Sequence, residues 1–300
     1  MMKEDRTPPM KSTCPPTFKH QSATFKEGVL CFTEHELAIE EFLEIYIDDA
    51  PYAVTMRLPG DDLHLVTGFC FTEGIIQAVD EIVSIQPCTG SHAGRRIFVK
   101  LQAAEGKKPS YRQRAPFLSQ SSCGLCGKSE INDVFVDIAA VSGFNPVKLE
   151  DVLRLKETFE ASQNIYRTTG VTHSAAIFGY DQELLAFGED IGRHNALDKA
   201  IGQVLCARED RRAHIGVVSS RLSFEMVQKA AVLGLEILCG LSGSTGKAVE
   251  LADQMNISLI GFLREESMTI YTHWQRLLTP QLDRSRTSPV ACASKPESCR

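Results

Sequence analysis

The sequence predicts an α/β protein in two blocks, and three observations carry that reading. Residues 35–102 show apolar alternation around turn-forming pairs, the pattern of a small α+β unit. Residues 131–278 alternate strand-like runs with amphipathic helical ones. That order implies right-handed crossovers and a largely parallel sheet covered on both faces. Between the blocks, residues 103–130 are polar and aperiodic, and read as an exposed connector that carries two cysteines.

In the first block, EFLEIYIDD and PYAVTMRL form a hairpin about Asp48-Asp49-Ala50-Pro51. Pro59-Gly60-Asp61-Asp62 opens a helix with acidic residues at its positive end, and Leu63, Val66 and Phe69 recur at helical spacing. EIVSIQ and RRIFVKLQ read as strands. In the second block Leu149, Val152, Leu153 and Phe159 mark a helix, and THSAAIFGY with ELLAFGED makes a hairpin about Asp181-Gln182. Leu197, Ala200, Ile201, Val204 and Leu205 line the next helix. Strand HIGVVSS, helix SFEMVQKAAVLG, strand LEILCG, helix GKAVELADQM and strands ISLIGF and MTIYT follow. Ligands of such sheets sit beyond the carboxyl ends of the strands. The loops SSRLS (219–223), GLSGSTG (240–246) and FLREES (262–267) are therefore expected on one rim. Residues 1–34 and 279–300 mix Pro, Ser, Thr and charge without period, and are expected to be flexible arms.

The 300 residues are enough for a sizeable core, and 43% apolar with 23% charged residues is ordinary for a globular protein. A net charge of −6 argues against a nucleic-acid binder held by phosphate contacts. No apolar run reaches the roughly 18 residues that a spanning helix needs. The opening MMKEDRTPPM carries charge and proline where a signal peptide would be apolar. A cytoplasmic protein, off the membrane, is expected.

Of ten cysteines, eight are scattered and form no disulfide framework. SSCGLCGK, at 121–128, sets Cys123 and Cys126 three apart. A zinc clip needs a second CxxC or a histidine pair close by, and the nearest downstream histidine is His173. A thioredoxin-like dithiol follows a strand, whereas this pair follows a proline-containing connector. Gly124 and Gly127 leave backbone amides open and Lys128 adds positive charge, both of which favour thiolate. These residues favour a nucleophilic thiol on a mobile loop, with a dithiol switch and a metal clip as the open alternatives.

EDIGRHNALDKAIG crowds seven polar residues at a strand-to-helix junction. His194 and Asp198, four apart, share a helix face and suggest an oriented histidine. Arg193 suits a phosphate or carboxylate near a helix start. The rival reading is a solvated, salt-bridged first turn. SSRLS places two hydroxyls and Arg221 between strand and helix, which makes either an anion cradle or a plain cap by Ser223. GLSGSTGKA fails the P-loop pattern because Ala248 stands where Ser or Thr is required. His173, alone at a strand start, reads as structural.

Together MRLPGDDLHLVTGFCFTEGII, SSCGLCGK, THSAAIF, EDIGRHNALDKAIG, SSRLSFEMVQKAAVLGLEIL, AVELA and LIGFLREESMTIYTH resemble the FdhD family of formate dehydrogenase accessory sulfurtransferases. The matches run in family order over about residues 35 to 275. The resemblance implies a sulfur carrier that receives persulfide sulfur from a cysteine desulfurase. It passes that sulfur to the molybdenum (or tungsten) bis-molybdopterin guanine dinucleotide cofactor of the formate dehydrogenase catalytic subunit. By the same resemblance Cys123 is the persulfide cysteine, with Cys126 assisting or shielding it. Phe262, Leu263, Arg264, Glu265, Glu266 and Ser267 are the pterin-dinucleotide loop. The residues themselves add Arg193, His194 and Arg221 for phosphate or pterin. The resemblance further implies a cytidine-deaminase-like three-layer α/β/α main domain beside a smaller N-terminal α+β domain, a homodimer, and no permanently bound metal. The chain departs from the family pattern at Gly243 and Lys247 and at Gly170-Val171, and it lacks the histidine-glutamate pair of deaminase chemistry.

Overall fold

The computed structural model describes residues 15–90, 93–102 and 138–278, with the backbone of 117–118. Strands β1 (Thr17–Lys26) and β2 (Val29–Ala38) form an antiparallel hairpin over most of the stretch expected to be a flexible arm. Glu27 and Gly28 turn it with left-handed φ of 52° and 83°, as a two-residue hairpin turn requires. The correction has a local cause. Apolar and β-branched residues pair across the strands, Phe25 with Leu30 and Ala23 with Phe32, even though both faces are exposed.

Next come β3 (Glu41–Ile47), β4 (Ala50–Arg57), α1 (Asp62–Thr72), β5 (Ile82–Pro87), β6 (Arg96–Leu101) and β7 (Phe117–Leu118). They form a sheet ordered β5-β6-β3-β4-β7, with α1 on one face. Leu43, Ile45 and Ile47 alternate inward from β3 to meet Leu65, Val66 and Cys70 of α1. Each aliphatic side chain buried in this way contributes about 1.5–3 kcal/mol.

The remaining elements are β8 (Val147–Lys148), α2 (Leu149–Ser162), α3 (Asn164–Thr169), β9 (His173–Gly179), β10 (Leu184–Asp190) and α4 (Arg193–Cys206), then β11 (Ala213–Val218) and α5 (Phe224–Leu233). They continue with β12 (Ile237–Gly240), α6 (Gly246–Gln254), β13 (Ser258–Gly261), β14 (Thr269–Ile270) and β15 (Leu277–Leu278). Six strands form a sheet ordered β10-β9-β11-β12-β13-β14. Ala175 and Ile177 of β9 face a core shared with α4, α5 and α6. Ala176 and Phe178, one residue out of step, face α2.

The sheet is mixed where the sequence reading expected it largely parallel. β10, β11, β12 and β13 run one way through the crossover helices α4, α5 and α6, as expected. The tight turn at Gln182 makes β9 antiparallel to β10, and β9 inserts between β10 and β11. β14 runs antiparallel at the edge. The carboxyl ends of four strands therefore share one rim with the amino end of β9.

At the opposite end, a buried Glu236–Arg276 pair (3.2 Å) fixes the chain that follows the connector. Glu236 accepts from Asn145 N at 2.8 Å, and Arg276 donates to Gly143 O at 3.0 Å. Among the described residues no helix is long and apolar enough to cross a membrane.

The two sheets meet where α1 crosses α4 backbone to backbone. A Cβ at Gly68 would lie 1.9 Å from Asp198 O, and one at Gly202 would lie 1.9 Å from His64 O. Gly202→Ala is expected to cost about 3 kcal/mol or more, because backbone on both sides must move. Gly246→Ala, where a Cβ meets nothing within 4 Å, is expected to be neutral or slightly stabilising. Urea denaturation of the two variants side by side measures the difference.

Candidate functional site

At the end of β10 the polar run EDIGRHNALDK is mostly committed to structure. Glu189 accepts from Ile165 N, Tyr166 N and Thr172 Oγ1 at 2.9–3.1 Å, which fixes the start of α3. Asp190, fully buried, accepts from Gly192 N (2.9 Å), Asn195 Nδ2 (3.0 Å) and Leu58 N (3.1 Å), and pairs with Lys199 at 2.8 Å. Lys199 also donates to the carbonyls of Leu58 and Glu189, and Asn195 donates to Met56 O at 2.8 Å. The end of β4 is thereby tied to the first turn of α4.

Asp198 does not orient His194, contrary to the sequence reading. It bonds Lys229 of α5 at 2.9 Å and Thr72 of α1 at 2.9 Å. In a helix-packed interior the nearest opposite charge lies on the neighbouring helix rather than on the same face. The ion pairs of this run are interior rather than solvated, since Asp190, Asp198 and Lys199 are all buried, while Arg193, His194 and Asn195 of the first turn are half-buried. Arg193 and His194 stand in the first turn of α4, just after the rim end of β10. His194 Nε2 is buried and has no hydrogen-bond partner among the described residues.

After β11, Ser219 Oγ accepts from Ser174 N (3.0 Å) and lies 3.3 Å from His173 Nδ1. Ser223 precedes α5 but makes no side-chain cap bond, so the plain-cap reading fails. Its Oγ is buried without a partner among the described residues. Arg221 is exposed. The three expected rim loops are laced together by backbone bonds: Leu222 N to Gly243 O, Thr245 N to Leu222 O, and Phe262 N to Ser242 O, at 3.0–3.1 Å. Thr245 caps α6 by accepting from Ala248 N, and Lys247 is held by Glu250 at 2.6 Å.

Within the loop 262–267, Arg264, Glu265, Glu266 and Ser267 are exposed. Arg264 donates to Leu241 O at 2.6 Å. Phe262 is 47% exposed at a left-handed φ of 51°, its ring against Gly243. Such backbone strain in a non-glycine residue persists only where surrounding structure enforces it, and it clusters at binding sites. Leu263 corrects the sequence reading: its side chain is fully buried in the core facing α2 and is not at the rim. The two residues follow β13, where the left-handed backbone at Phe262 separates an exposed ring from a buried Leu263 side chain.

The electrostatics of the rim are positive. Burial pushes the His194 pKa down to about 3, helped by Lys229, Arg193 and His173. Burial also lowers His173, helped by Arg193 and Arg221. Both rings are neutral at physiological pH, first because burial disfavours the charged form and second because cations stand nearby, and those cations favour an anion. Bonding donors, two guanidinium groups and an exposed ring suit a ligand with phosphate and heteroaromatic parts. The sequence reading missed His173 and Ser219 as one unit. They stand 46 residues apart and meet only through the β9–β11 pairing.

Cys123 and Cys126 lie outside the described residues, as does most of the connector. β7 runs parallel to β4, with Phe117 opposite Ala53 and Leu118 opposite Val54. It therefore points along β4 toward Met56 and Leu58, the residues held by Asn195 and Asp190. The described thiols of Cys70 and Cys239 are buried and pushed up to about 12 by desolvation, so they are poor nucleophiles. Among the described residues no cluster of three or more His, Cys, Asp or Glu could hold a metal ion.

The sequence model described as the FdhD/NarQ family matches residues 38–278. A sulfur carrier protein FdhD of Nocardia farcinica is 40% identical over 80% of this chain and 88% of its own. One of Mycolicibacterium paratuberculosis is 38% identical over 80% and 91%, and one of Sulfolobus acidocaldarius 34% over 84% and 95%. The fold is similar to a crystal structure described as a candidate formate dehydrogenase accessory protein from Desulfotalea psychrophila. The TM-score is 0.70, with 22% identity, covering 88% of this chain and all of that one.

The depressed His194 pKa has a consequence for stability. The unfolded ring binds a proton below about pH 6.5 while the folded ring resists it until about pH 3. Folding stability is therefore intact above pH 6.5 and falls as pH drops through that window, by on the order of 4 kcal/mol at its end. His194→Gln is expected to flatten the loss between pH 6.5 and 4, as read by urea midpoints at stepped pH.

Proposed function

The chain belongs to the FdhD/NarQ family, and from that premise we propose that it is a sulfur carrier for formate dehydrogenase. Its sulfur donor is a cysteine desulfurase. Its acceptor is the molybdenum (or tungsten) bis-molybdopterin guanine dinucleotide cofactor, handled as substrate before use by the formate dehydrogenase catalytic subunit. The observation that supports this reading best is the cationic rim, where His194 Nε2 lacks a hydrogen-bond partner among the described residues and Ser223 Oγ, likewise unpaired, stands on the same loop network as exposed Phe262. Arg193, Arg221 and Arg264 would face the phosphates, and Phe262 would stack on a ring. On this reading the six-stranded sheet is a cytidine-deaminase-like scaffold turned to binding, and the protein works as a cytoplasmic homodimer.

The chemistry balances through two thiols. The Cys123 thiolate attacks the terminal sulfur of the donor persulfide, that S–S bond breaks, and the donor cysteine leaves as thiolate. Cys123 then carries the sulfane sulfur. Release as hydrosulfide needs two electrons. A second thiolate, Cys126, supplies them by attacking Cys123 Sγ, which leaves a Cys123–Cys126 disulfide for an external thiol to reduce. The rim holds the acceptor while the tether brings the sulfur to it.

Incubation with a desulfurase and cysteine is expected to add about 32 Da at Cys123, removable by reductant. Cys123→Ala should lose both the adduct and formate dehydrogenase activation. Cys126→Ala should load normally but unload only with added small thiol. A Cys123→Ala protein that activates fully would instead mark a chaperone that holds the cofactor without transferring sulfur.

A further inference from the structure

The rim contains an arrangement whose consequence goes beyond holding a ligand. His194 presents a buried Nε2 with no hydrogen-bond partner among the described residues, and so does Ser223 through its Oγ. His173 is differently placed. Ser219 Oγ accepts from Ser174 N and lies 3.3 Å from His173 Nδ1. One imidazole is thus held by a neighbouring hydroxyl, and the other presents a buried ring nitrogen without a hydrogen-bond partner among the described residues.

We propose that anion binding at this rim is coupled to proton uptake, with His194 as the proton acceptor and His173 beside it. The ligand class is a phosphate-type dianion bounded by Arg193, Arg221 and Ser223. This deepens the proposed carrier role, since it shares the rim, but it does not depend on Cys123.

The charges around His194 decide the coupling. Its own helix contributes Arg193, α5 contributes Lys229 and β9 contributes His173. Arg221 and Asp190 act on His173 from the loop after β11 and from β10. The carboxylates nearest Lys229, Asp198 and Glu73, already hold that ammonium. Burial first and these cations second keep the ring neutral on its own. A negative charge at hydrogen-bond distance in a partly buried site favours the protonated ring by roughly 10³-fold, and a dianion by more. The same ring that rejects a proton alone therefore accepts one together with the ligand. Such a rim binds anions more tightly as pH falls and releases them as pH rises.

Inorganic sulfate is the probe, because it does not titrate between pH 5 and 8 and every proton taken up must come to the protein. The affinity of the full chain for sulfate, followed by NMR titration, is expected to fall up to about tenfold per pH unit across part of that range. In the wild-type protein the His194 ring resonances should move from neutral toward imidazolium positions as sulfate is added at pH 6. His194→Gln should bind sulfate with a flat pH profile, whereas His173→Gln should bind more weakly and keep the slope. A pH-independent wild-type affinity overturns the proposal, as does a slope unchanged in His194→Gln, an unmoved His194 ring, or no sulfate binding at all. Persulfide loading of Cys123 is scored separately, so either result can fail while the other stands.

Discussion

Helices α1 and α4 approach so closely that a methyl group at Gly68 or Gly202 would collide with a carbonyl of the facing helix. That approach brings the end of β4 within hydrogen-bond reach of Asp190, Asn195 and Lys199, and lets Thr72 of α1 join Lys229 and Asp198. Buried ion pairs of this kind add little net stability, but leaving one partner alone is costly. They therefore set the register of the two sheets. Move the helices apart and two interior charges lose their partners together.

The rim follows from this arrangement by subtraction. In EDIGRHNALDK, Glu189, Asp190, Asn195, Asp198 and Lys199 are engaged by the packing, while His194 keeps a buried Nε2 without a hydrogen-bond partner among the described residues. Ser223 is a parallel case. It occupies the usual position of a capping hydroxyl but does not cap, whereas Thr245 at the next helix does. The backbone bonds between loops 219–223, 240–246 and 262–267 hold these groups in place, so the site is largely formed by the fold itself.

Strand β7 pairs with β4, the strand whose end is clamped to α4, so it is fixed relative to the rim. At the opposite end of the six-stranded sheet the Glu236–Arg276 pair fixes residues 143–145 in the same way.

Local pattern was enough to determine the longer strands and helices from β3 onward, the crossovers β10–α4–β11, β11–α5–β12 and β12–α6–β13, and the gathering of three loops on one edge. Periodicity and turn chemistry act over a few residues, and so they are written in adjacent letters. The hairpin at 17–38 was legible in principle, through its Glu27-Gly28 turn, but its polar composition concealed it. Only the tertiary structure decided which charges were spent and which were free. Leu58 meets Asp190 across 132 positions, Lys229 meets Asp198 across 31, and His173 meets Ser219 across 46. Phe262 and Leu263 look equivalent in sequence, yet one is exposed and the other is core. The pairing of a buried charge, like the facing of a loop residue, is fixed by whichever element packs against it, and that partner is not encoded nearby.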